Sequence, residues 1–134
     1  MSARRRGRQP QRPESLTSST MSAWGVELEP EVREWIESLA VAAFATVAFH
    51  IDRIGEQGSR LRMPHSRALG EGLFELRFDL DRTAQRISYF FPGAARIVLL
   101  TVFRKQRDNE RREVARARMA MARCVREAHD AEEG

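Results

Sequence analysis

Hydrophobic positions near the start of the folded part follow two periodicities in turn. From Trp24 to Leu28, large apolar residues alternate with small or polar ones, which is typical of a half-buried strand. Glu29-Pro30-Glu31 follows and predicts a helix start, because proline is tolerated in the first turn and carboxylates suit the positive end of the helix dipole. Apolar residues then recur at helical spacing in two short helices, at Val32, Trp35, Ile36 and Leu39, and at Val41, Phe44, Ala45, Ala48 and Phe49.

The second half of the chain changes to strand periodicity. Gly55 and Gly58 end the second helix, and residues 62–72, from Arg62 through Met63, Pro64 and His65 to Gly70 and Gly72, are predicted to form a loop. Strands are then predicted at Leu73–Phe78, Arg86–Phe91 and Arg96–Phe103, which are rich in β-branched and aromatic residues. The predicted turns are 79–85 and Pro92-Gly93.

Helical spacing returns from about Asp108, with apolar residues at Val114, Ala117, Met121 and Val125. The predicted order is therefore β-α-α-β-β-β-α. This order predicts an α+β fold in which an N-terminal strand and a helical hairpin precede a three-stranded antiparallel meander and a C-terminal helix.

Composition divides the 134 residues into one domain with two polar ends. Residues 1–22 contain five arginines, two prolines and a Ser/Thr cluster without apolar periodicity, and we expect a disordered basic extension. We assign residues 23–128 to the folded domain and residues 129–134 to an acidic tail. The extension is interpreted as a flexible segment or as an RNA-binding arm, and Met1 and Met21 are both candidate translation starts.

Charge is unevenly distributed along the chain. Residues 21–59 carry two basic and seven acidic side chains, or −5, whereas residues 60–126 carry 16 basic and seven acidic side chains, or +9. A strongly basic second half favours a polyanionic partner such as RNA. The alternative is genomic base composition, because Lys105 is the only lysine among 23 basic residues.

Several classes of protein are disfavoured by the same composition. The longest apolar run, Leu39 to Phe49, is interrupted by Thr46 and is shorter than the roughly 20 residues that cross a bilayer. A single cysteine, Cys124, cannot form an internal disulfide, so we expect a reduced, cytoplasmic location. We expect neither a metal nor a cofactor, because the chain has no metal-ligand spacing and no glycine-rich phosphate loop.

Four segments in a fixed order resemble a known family. They are Met63-Pro64-His65-Ser66 with Leu69, then Gly72–Arg77 with its Glu-Leu-Arg strand end, then Arg86–Phe91 with Arg-x-x-Tyr, and finally Val98–Leu100 leading to Phe103-Arg104-Lys105. From about Trp24 to Arg126 the chain resembles the RelE/ParE superfamily of toxins, in particular its phage Gp49-like, HigB-type group.

The resemblance implies a ribosome-dependent endoribonuclease, an mRNA interferase, that a cognate antitoxin with a helix-turn-helix domain neutralises. RNA cleavage by a 2′-hydroxyl needs charge neutralisation at the phosphorane, and arginine can bind phosphate oxygens bidentately. We therefore expect Arg77 and Arg86, on neighbouring strands, to stabilise the transition state, with Lys105 and Tyr89 completing the catalytic set. The remaining RNA-binding candidates are Arg104, Arg107, Arg67 and His65.

Each of these candidates has an alternative role. Arg77 could pair with Glu75 or Asp79 at a solvated sheet edge, and Tyr89 could pack in the core, since alternation buries every second residue of its strand. Basic residues 104, 105 and 107 could form a solvated loop, and His65 could be an exposed loop residue. His50 and His129 have no evident partner in the sequence.

The sequence also departs from the family pattern. Family members often place Lys-Lys and a Thr-Pro turn after the third strand, where this chain has Arg104-Lys105-Gln106-Arg107. Some relatives carry a lysine at the position of Glu75, and a carboxylate cannot replace it as a phosphate ligand. Two alternative functions therefore remain: a ParE-like toxin that acts on a protein such as gyrase, and an RNA-binding protein without catalysis. We also expect an antitoxin segment, acidic or amphipathic, to cover the basic face.

Overall fold

The computed structural model describes residues 24–133, with side chains described through residue 128. The predicted extension 1–22 lies outside the described residues, and the backbone of the predicted tail is helical as far as Glu133. The elements are β1 (Gly25–Leu28), α1 (Pro30–Glu37), α2 (Val41–Gln57), a 3₁₀ turn (Gly58–Arg60), β2 (Ser66–Gly70), β3 (Leu73–Leu80), β4 (Thr83–Gly93), β5 (Arg96–Arg104) and α3 (Glu110–Glu133).

The strands form one five-stranded sheet in the order β1-β5-β4-β3-β2. Strands β2 to β5 are an antiparallel meander, and β1 pairs parallel to β5, with Val26 opposite Ile97. The predicted α+β architecture with its N-terminal strand, two helices and C-terminal helix is confirmed. The predicted number of strands is wrong, because the meander has four strands rather than three.

The missing strand is β2, which lies within the predicted loop 62–72. Its residues alternate poorly: Ser66 is buried, whereas Arg67 and Ala68 are exposed. The strand is nevertheless paired along β3, with Arg67 opposite Glu75. A short edge strand is held by backbone hydrogen bonds to its single neighbour and needs no apolar stripe, so its side-chain pattern does not reveal it.

The turn between β3 and β4 is also shorter than predicted. Leu80 pairs with Thr83, leaving a two-residue turn at Asp81 and Arg82, whose φ angles are 51° and 66°. Positive φ at both central residues is the geometry of a tight hairpin that matches the twist of the strands. The polar residues predicted to form a long turn therefore continue the two strands and carry Arg86 well inside the hairpin. Strand β4 likewise continues through the predicted Pro92-Gly93 turn, because the register shifts there and proline is tolerated at such an irregularity.

The helices cover the two faces of the sheet unequally. Helix α1 begins with Pro30 at its first position, as predicted, and buries Val32 and Ile36. Helix α2 buries Val47, Ile51 and Ile54 against the same face. Val41 and Phe49, predicted to belong to the apolar face of α2, are 75% and 58% exposed. At 3.6 residues per turn, both lie roughly 80° or more around the helix from the buried residues Val47, Ile51 and Ile54, outside the stripe that meets the sheet.

Helix α3 packs on the opposite face of the sheet. A second, smaller apolar cluster joins Ala117 and Ala120 of α3 to side chains from three strands, namely Leu73, Phe90, Val98 and Leu100. The remaining part of that face carries polar and charged side chains. The candidate site lies there, beside the N-terminal end of α3.

Candidate functional site

Two arginines face each other across the central hairpin. Arg77 of β3 is the direct partner of Arg86 on β4, which confirms the expectation that they lie on neighbouring strands. Each Nε atom lies close to one oxygen of Glu75: the distance to Glu75 Oε1 is 3.8 Å from Arg77 and 3.7 Å from Arg86. The Arg77–Glu75 ion pair, which was the alternative role of Arg77, is therefore also present, and Glu75 lies between both arginines.

Glu75 is almost completely enclosed, with 2% of its surface exposed. Its Oε2 atom is buried and has no hydrogen-bond partner among the described residues. Burial raises the pKa of Glu75 above its ordinary value, against the lowering effect of Arg86, while the charge of Glu110 raises it further. Arg86 is also buried and has a lowered pKa because of that burial. The two guanidinium groups are thus anchored at a partly desolvated site, where their attraction for an anion is strengthened.

A second pair of cations lies beside the first. Arg67, directly opposite Glu75 on β2, places its Nη1 3.0 Å from Glu110 Oε2. Lys105, immediately after β5, places its Nζ 3.9 Å from Glu110 Oε1. Residues from β2, β3, β4 and the β5–α3 connection therefore form one group, which we call the basic cluster: Arg67, Arg77, Arg86 and Lys105.

A polar cavity of about 370 Å³ opens next to the first pair. It is lined by His50, Pro64, His65, Arg77, Phe78, Asp79 and Arg86. His65 is held in place by its backbone, since its carbonyl accepts a hydrogen bond of 2.8 Å from the backbone N–H of Arg77. The cavity thus combines two guanidinium groups with two imidazoles, which can bind an anion and transfer protons.

His50, which has no evident partner in the sequence, is also part of this cavity. Its ring stacks on Phe78 with centroids 4.7 Å apart, and its Nδ1 is buried without a hydrogen-bond partner among the described residues. Burial lowers the pKa of His50, and the charges of Arg53 and His65 lower it further. No signal in the sequence joins a helix residue to a loop 15 residues later, so only the packing of α2 on β3 reveals this neighbour.

Tyr89, predicted to be catalytic, lies in the core with 1% of its surface exposed. Its hydroxyl is hydrogen-bonded to the side chain of Ser66, and its ring stacks on Phe74 with centroids 5.5 Å apart. Burial raises the pKa of Tyr89. The structure thus gives Tyr89 the alternative role of core packing, and its hydroxyl has no surface to offer a bound base.

The remaining predicted RNA contacts are outside the basic cluster. Arg104 lines a recess with Trp35 on the face that α1 covers. It points away from the basic cluster because side chains alternate along β5, and its neighbour Phe103 is the one opposite Arg86. Arg107 is exposed in the connection to α3. That connection is stabilised by Asn109, whose side chain accepts a hydrogen bond from the backbone of Gln106 and donates one to the carbonyl of Arg104.

The described part of the chain has neither a cluster of metal-ligand side chains nor a membrane-spanning helix. Residues 24–128 contain no group of three or more His, Cys, Asp or Glu side chains that could hold a metal ion. Among the described helices, none is both long and apolar enough to span a bilayer. The polar side chains that line the cavity are guanidinium, imidazole and carboxylate groups.

Most of the chain is similar to a known protein family. The family described as phage derived protein Gp49-like (DUF891) matches residues 34–124, which extend from α1 through most of α3 and contain the whole basic cluster. It is a RelE/HigB-like family associated with the toxins of toxin–antitoxin systems. Neither a curated protein nor a solved structure matches the chain.

Proposed function

The chain belongs to the phage-derived Gp49-like family, and from this premise we propose that it is a toxin that cleaves messenger RNA on the ribosome without a metal ion. The observation that carries the proposal is the pairing of Arg77 and Arg86 across β3 and β4, on the wall of a cavity that also contains two histidines. A phosphodiester bound there would have cations on its oxygens and imidazoles near the atoms that exchange protons.

The proposed reaction transfers the phosphoryl group within the RNA. The 2′-hydroxyl of one nucleotide attacks the adjacent phosphorus, its proton passes to a base, and the 5′-oxygen of the next nucleotide leaves with a proton from an acid. The products are a 2′,3′-cyclic phosphate and a 5′-hydroxyl end, so no water, metal or oxidant is consumed in this step.

Each side chain has a defined part in this reaction. Arg77 and Arg86 bind the non-bridging oxygens, whose charge increases in the pentacoordinate transition state. His50 and His65, which both line the cavity, are the candidates for proton transfer. Lys105 and Arg67 add positive charge nearby, whereas Arg104 and Arg107 would contact RNA outside the cavity. Tyr89 supports the site indirectly, through Ser66 at the start of β2.

We also propose the partners and compartment that this function requires. The substrate is mRNA in the ribosome, and the inhibitor is a cognate antitoxin with a helix-turn-helix domain, whose acidic or amphipathic segment covers the basic cluster. Such a partner would neutralise basic side chains in residues 60–126, where the net charge is +9. Both the substrate and the inhibitor place the protein in the cytoplasm.

The test is inducible expression of the full chain in a bacterial host, followed by growth curves and mapping of new 5′ ends on translated transcripts. The wild type is compared with the double variant Arg77→Ala/Arg86→Ala. The matched control is Arg112→Ala/Arg123→Ala, which removes two exposed arginines of α3.

The expected result is growth arrest with cuts in phase with codons, lost in the first double variant and retained in the control. Removing a donor to the transition-state charge is expected to lower the cleavage rate by about 100-fold or more. Arrest without cuts would contradict the proposal and point to a protein target such as gyrase. RNA binding without arrest or cuts would contradict it in favour of a non-catalytic RNA-binding protein.

A further inference from the structure

The second pair of the basic cluster is bridged by a carboxylate that is open to solvent. Glu110 contacts Arg67 at 3.0 Å and Lys105 at 3.9 Å, and the exposed fractions of the three side chains are 35%, 46% and 31%. Glu110 Oε2 faces Arg67 and Oε1 faces Lys105, whose ammonium also donates a hydrogen bond of 2.8 Å to the carbonyl of Gln106. A carboxylate between two cations has the same charge as an RNA phosphate, whose two non-bridging oxygens can take its place.

This arrangement differs from the bridge at the first pair. Glu75 is 2% exposed between Arg77 and Arg86 and cannot leave without a large change in packing. An ion pair as exposed as that of Glu110 contributes little to stability, because water and salt compensate for its loss. Glu110 can therefore be displaced by another anion, whereas Glu75 is a permanent part of the site.

The two pairs are also adjacent. Arg67 lies opposite Glu75 and so two residues along the sheet from the position of Arg77, or roughly 7 Å at the usual rise of a strand. The charge of Glu110 is close enough to Glu75 to raise the pKa of that carboxyl group. Lys105 lies on the other side of the Arg77–Arg86 row, beside Ala84, which is opposite Asp79. The side chains of Arg67 and Lys105 therefore approach the first pair from its two sides and meet at Glu110.

We propose that Arg67 and Lys105 form a second phosphate subsite, for a backbone phosphate that flanks the one held by Arg77 and Arg86, and that the carboxylate of Glu110 occupies this subsite until RNA displaces it. The inference rests on the proposed function, which supplies RNA as the ligand. It adds that recognition requires at least two consecutive phosphates, and that the free protein contains its own competitor for one of them.

Binding of an RNA that cannot be cleaved tests the subsite apart from catalysis. The probe is a fluorescent single-stranded octanucleotide with 2′-O-methyl groups at every position, because methylation removes the nucleophile. Fluorescence anisotropy gives the Kd for the full-length wild type, for Glu110→Gln and for Glu34→Gln, a control that removes one exposed carboxylate from α1 on the other side of the sheet. Thermal unfolding of each protein verifies that it is folded.

We expect Glu110→Gln to bind the probe about fivefold more tightly than the wild type, since an exposed pair no longer competes. Glu34→Gln should leave the Kd nearly unchanged. In an Arg67→Ala/Lys105→Ala background, the probe should bind more weakly, with a shallower dependence on salt. The Glu110→Gln change should then produce no gain. Equal or weaker binding by Glu110→Gln, or the same gain in the Arg67→Ala/Lys105→Ala background, would overturn the inference.

These outcomes are separable from a failure of the proposed function. If Glu110→Gln binds RNA more tightly but the wild type makes no cuts in translated transcripts, the subsite stands and the nuclease does not. If the wild type makes codon-phased cuts that depend on Arg77 and Arg86, but Glu110→Gln binds like the wild type, the nuclease stands and the second subsite does not.

Discussion

The two faces of the central sheet are built from the same strands but differ in chemistry. On the face covered by α1 and α2, the side chains of β3, β4 and β5 are apolar, as with Leu76, Ile87 and Leu99, each fully buried. On the opposite face the same strands present an apolar half under α3 and a polar half that contains Glu75, Arg86 and Ser88, all buried. Burial is therefore not the same as hydrophobicity in this molecule, and the two faces should respond to mutation in different ways.

The largest effect is expected on the apolar face. Leu76→Ala removes a fully buried side chain and should lower the free energy of unfolding by about 2–5 kcal/mol, through lost burial and the cavity that remains. Urea denaturation measures the change, with Met119→Ala, at a residue that is 72% exposed, as the control. A loss below about 1 kcal/mol would mean that this face repacks easily.

The next effect concerns the connection between the two layers. Glu31 of α1 accepts a hydrogen bond of 2.9 Å from the backbone N–H of Val102 and pairs with the guanidinium of Arg116 on α3. Glu31→Ala should lower the free energy of unfolding by about 1–2 kcal/mol, because the backbone N–H of Val102 loses its acceptor and Arg116 keeps only Glu113 and the carbonyl of Val102 as partners. Glu34→Ala in the same helix is the control, and equal effects of both variants in denaturation curves would refute the connection.

A smaller effect is expected for the buried hydroxyls of the polar face. Ser88 is 1% exposed, and its oxygen accepts a hydrogen bond of 3.0 Å from the backbone N–H of Thr101 across β4 and β5. Ser88→Ala should lower the free energy of unfolding by about 1 kcal/mol, because that N–H stays buried without an acceptor. The exposed residue Ser59 supplies the control in the same denaturation series, and an increase in stability would contradict a role for the hydroxyl.

The free energy of unfolding should depend on pH through His50, the cavity histidine on α2, and not through the apolar core. Burial first, and then Arg53 and His65, lower the pKa of His50 below 6.5. The folded protein therefore binds a proton at His50 less well than the unfolded chain does. The stabilisation that neutral His50 contributes is complete above pH 6.5 and declines as the pH falls through the lowered pKa. Between pH 7 and pH 5 the wild type should lose more stability than His50→Gln, as measured by denaturation at each pH; parallel losses would contradict this.

The opposite sign is expected for the buried carboxyl group of the polar face. Burial raises the pKa of Glu75 above 4.5, so the folded protein holds this proton more strongly than the unfolded chain does. The stabilisation that protonated Glu75 contributes is complete below pH 4.5 and declines as the pH rises through the raised pKa. Relative to Glu75→Gln, the wild type should therefore be more stable at pH 4 than at pH 7. A difference that is independent of pH, or that increases with pH, would show that Arg77 and Arg86 outweigh the burial of the carboxylate.

Most elements of the fold could be predicted because their periodicity is long and regular. Helix α1 with its Pro30 start, the Leu73 and Arg96 strands, and the helix after Asp108 all have a pattern that burial on one side imposes. The prediction failed for β2, which has one neighbouring strand and one exposed side, and for the length of the β3–β4 hairpin. In both places backbone hydrogen bonding rather than side-chain hydrophobicity determines the structure.

The candidate site was predictable in part for the same reason. Arg77 and Arg86 stand on adjacent strands of a hairpin, and their pairing follows once the hairpin is recognised. Glu110 and His50 carry no such local signal, because each meets the site from a different helix. Strand alternation left both a surface and a core position open for Tyr89, and its contacts with Phe74, Phe91 and Ser66 place it in the core.

Apart from β2, the sequence by itself determined the order of the elements, most of the apolar stripes and the basic character of the second half, because these depend on near neighbours along the chain and on counts of side chains. Tertiary structure alone decided which cations share a carboxylate, since Arg67, Lys105 and Glu110 come together from separate elements. It also decided the pKa shifts of Glu75 and His50, because burial is set by residues far away in sequence. Periodicity along the chain indicates which side of a helix or strand is buried, and only tertiary packing determines which residues come into contact on that side.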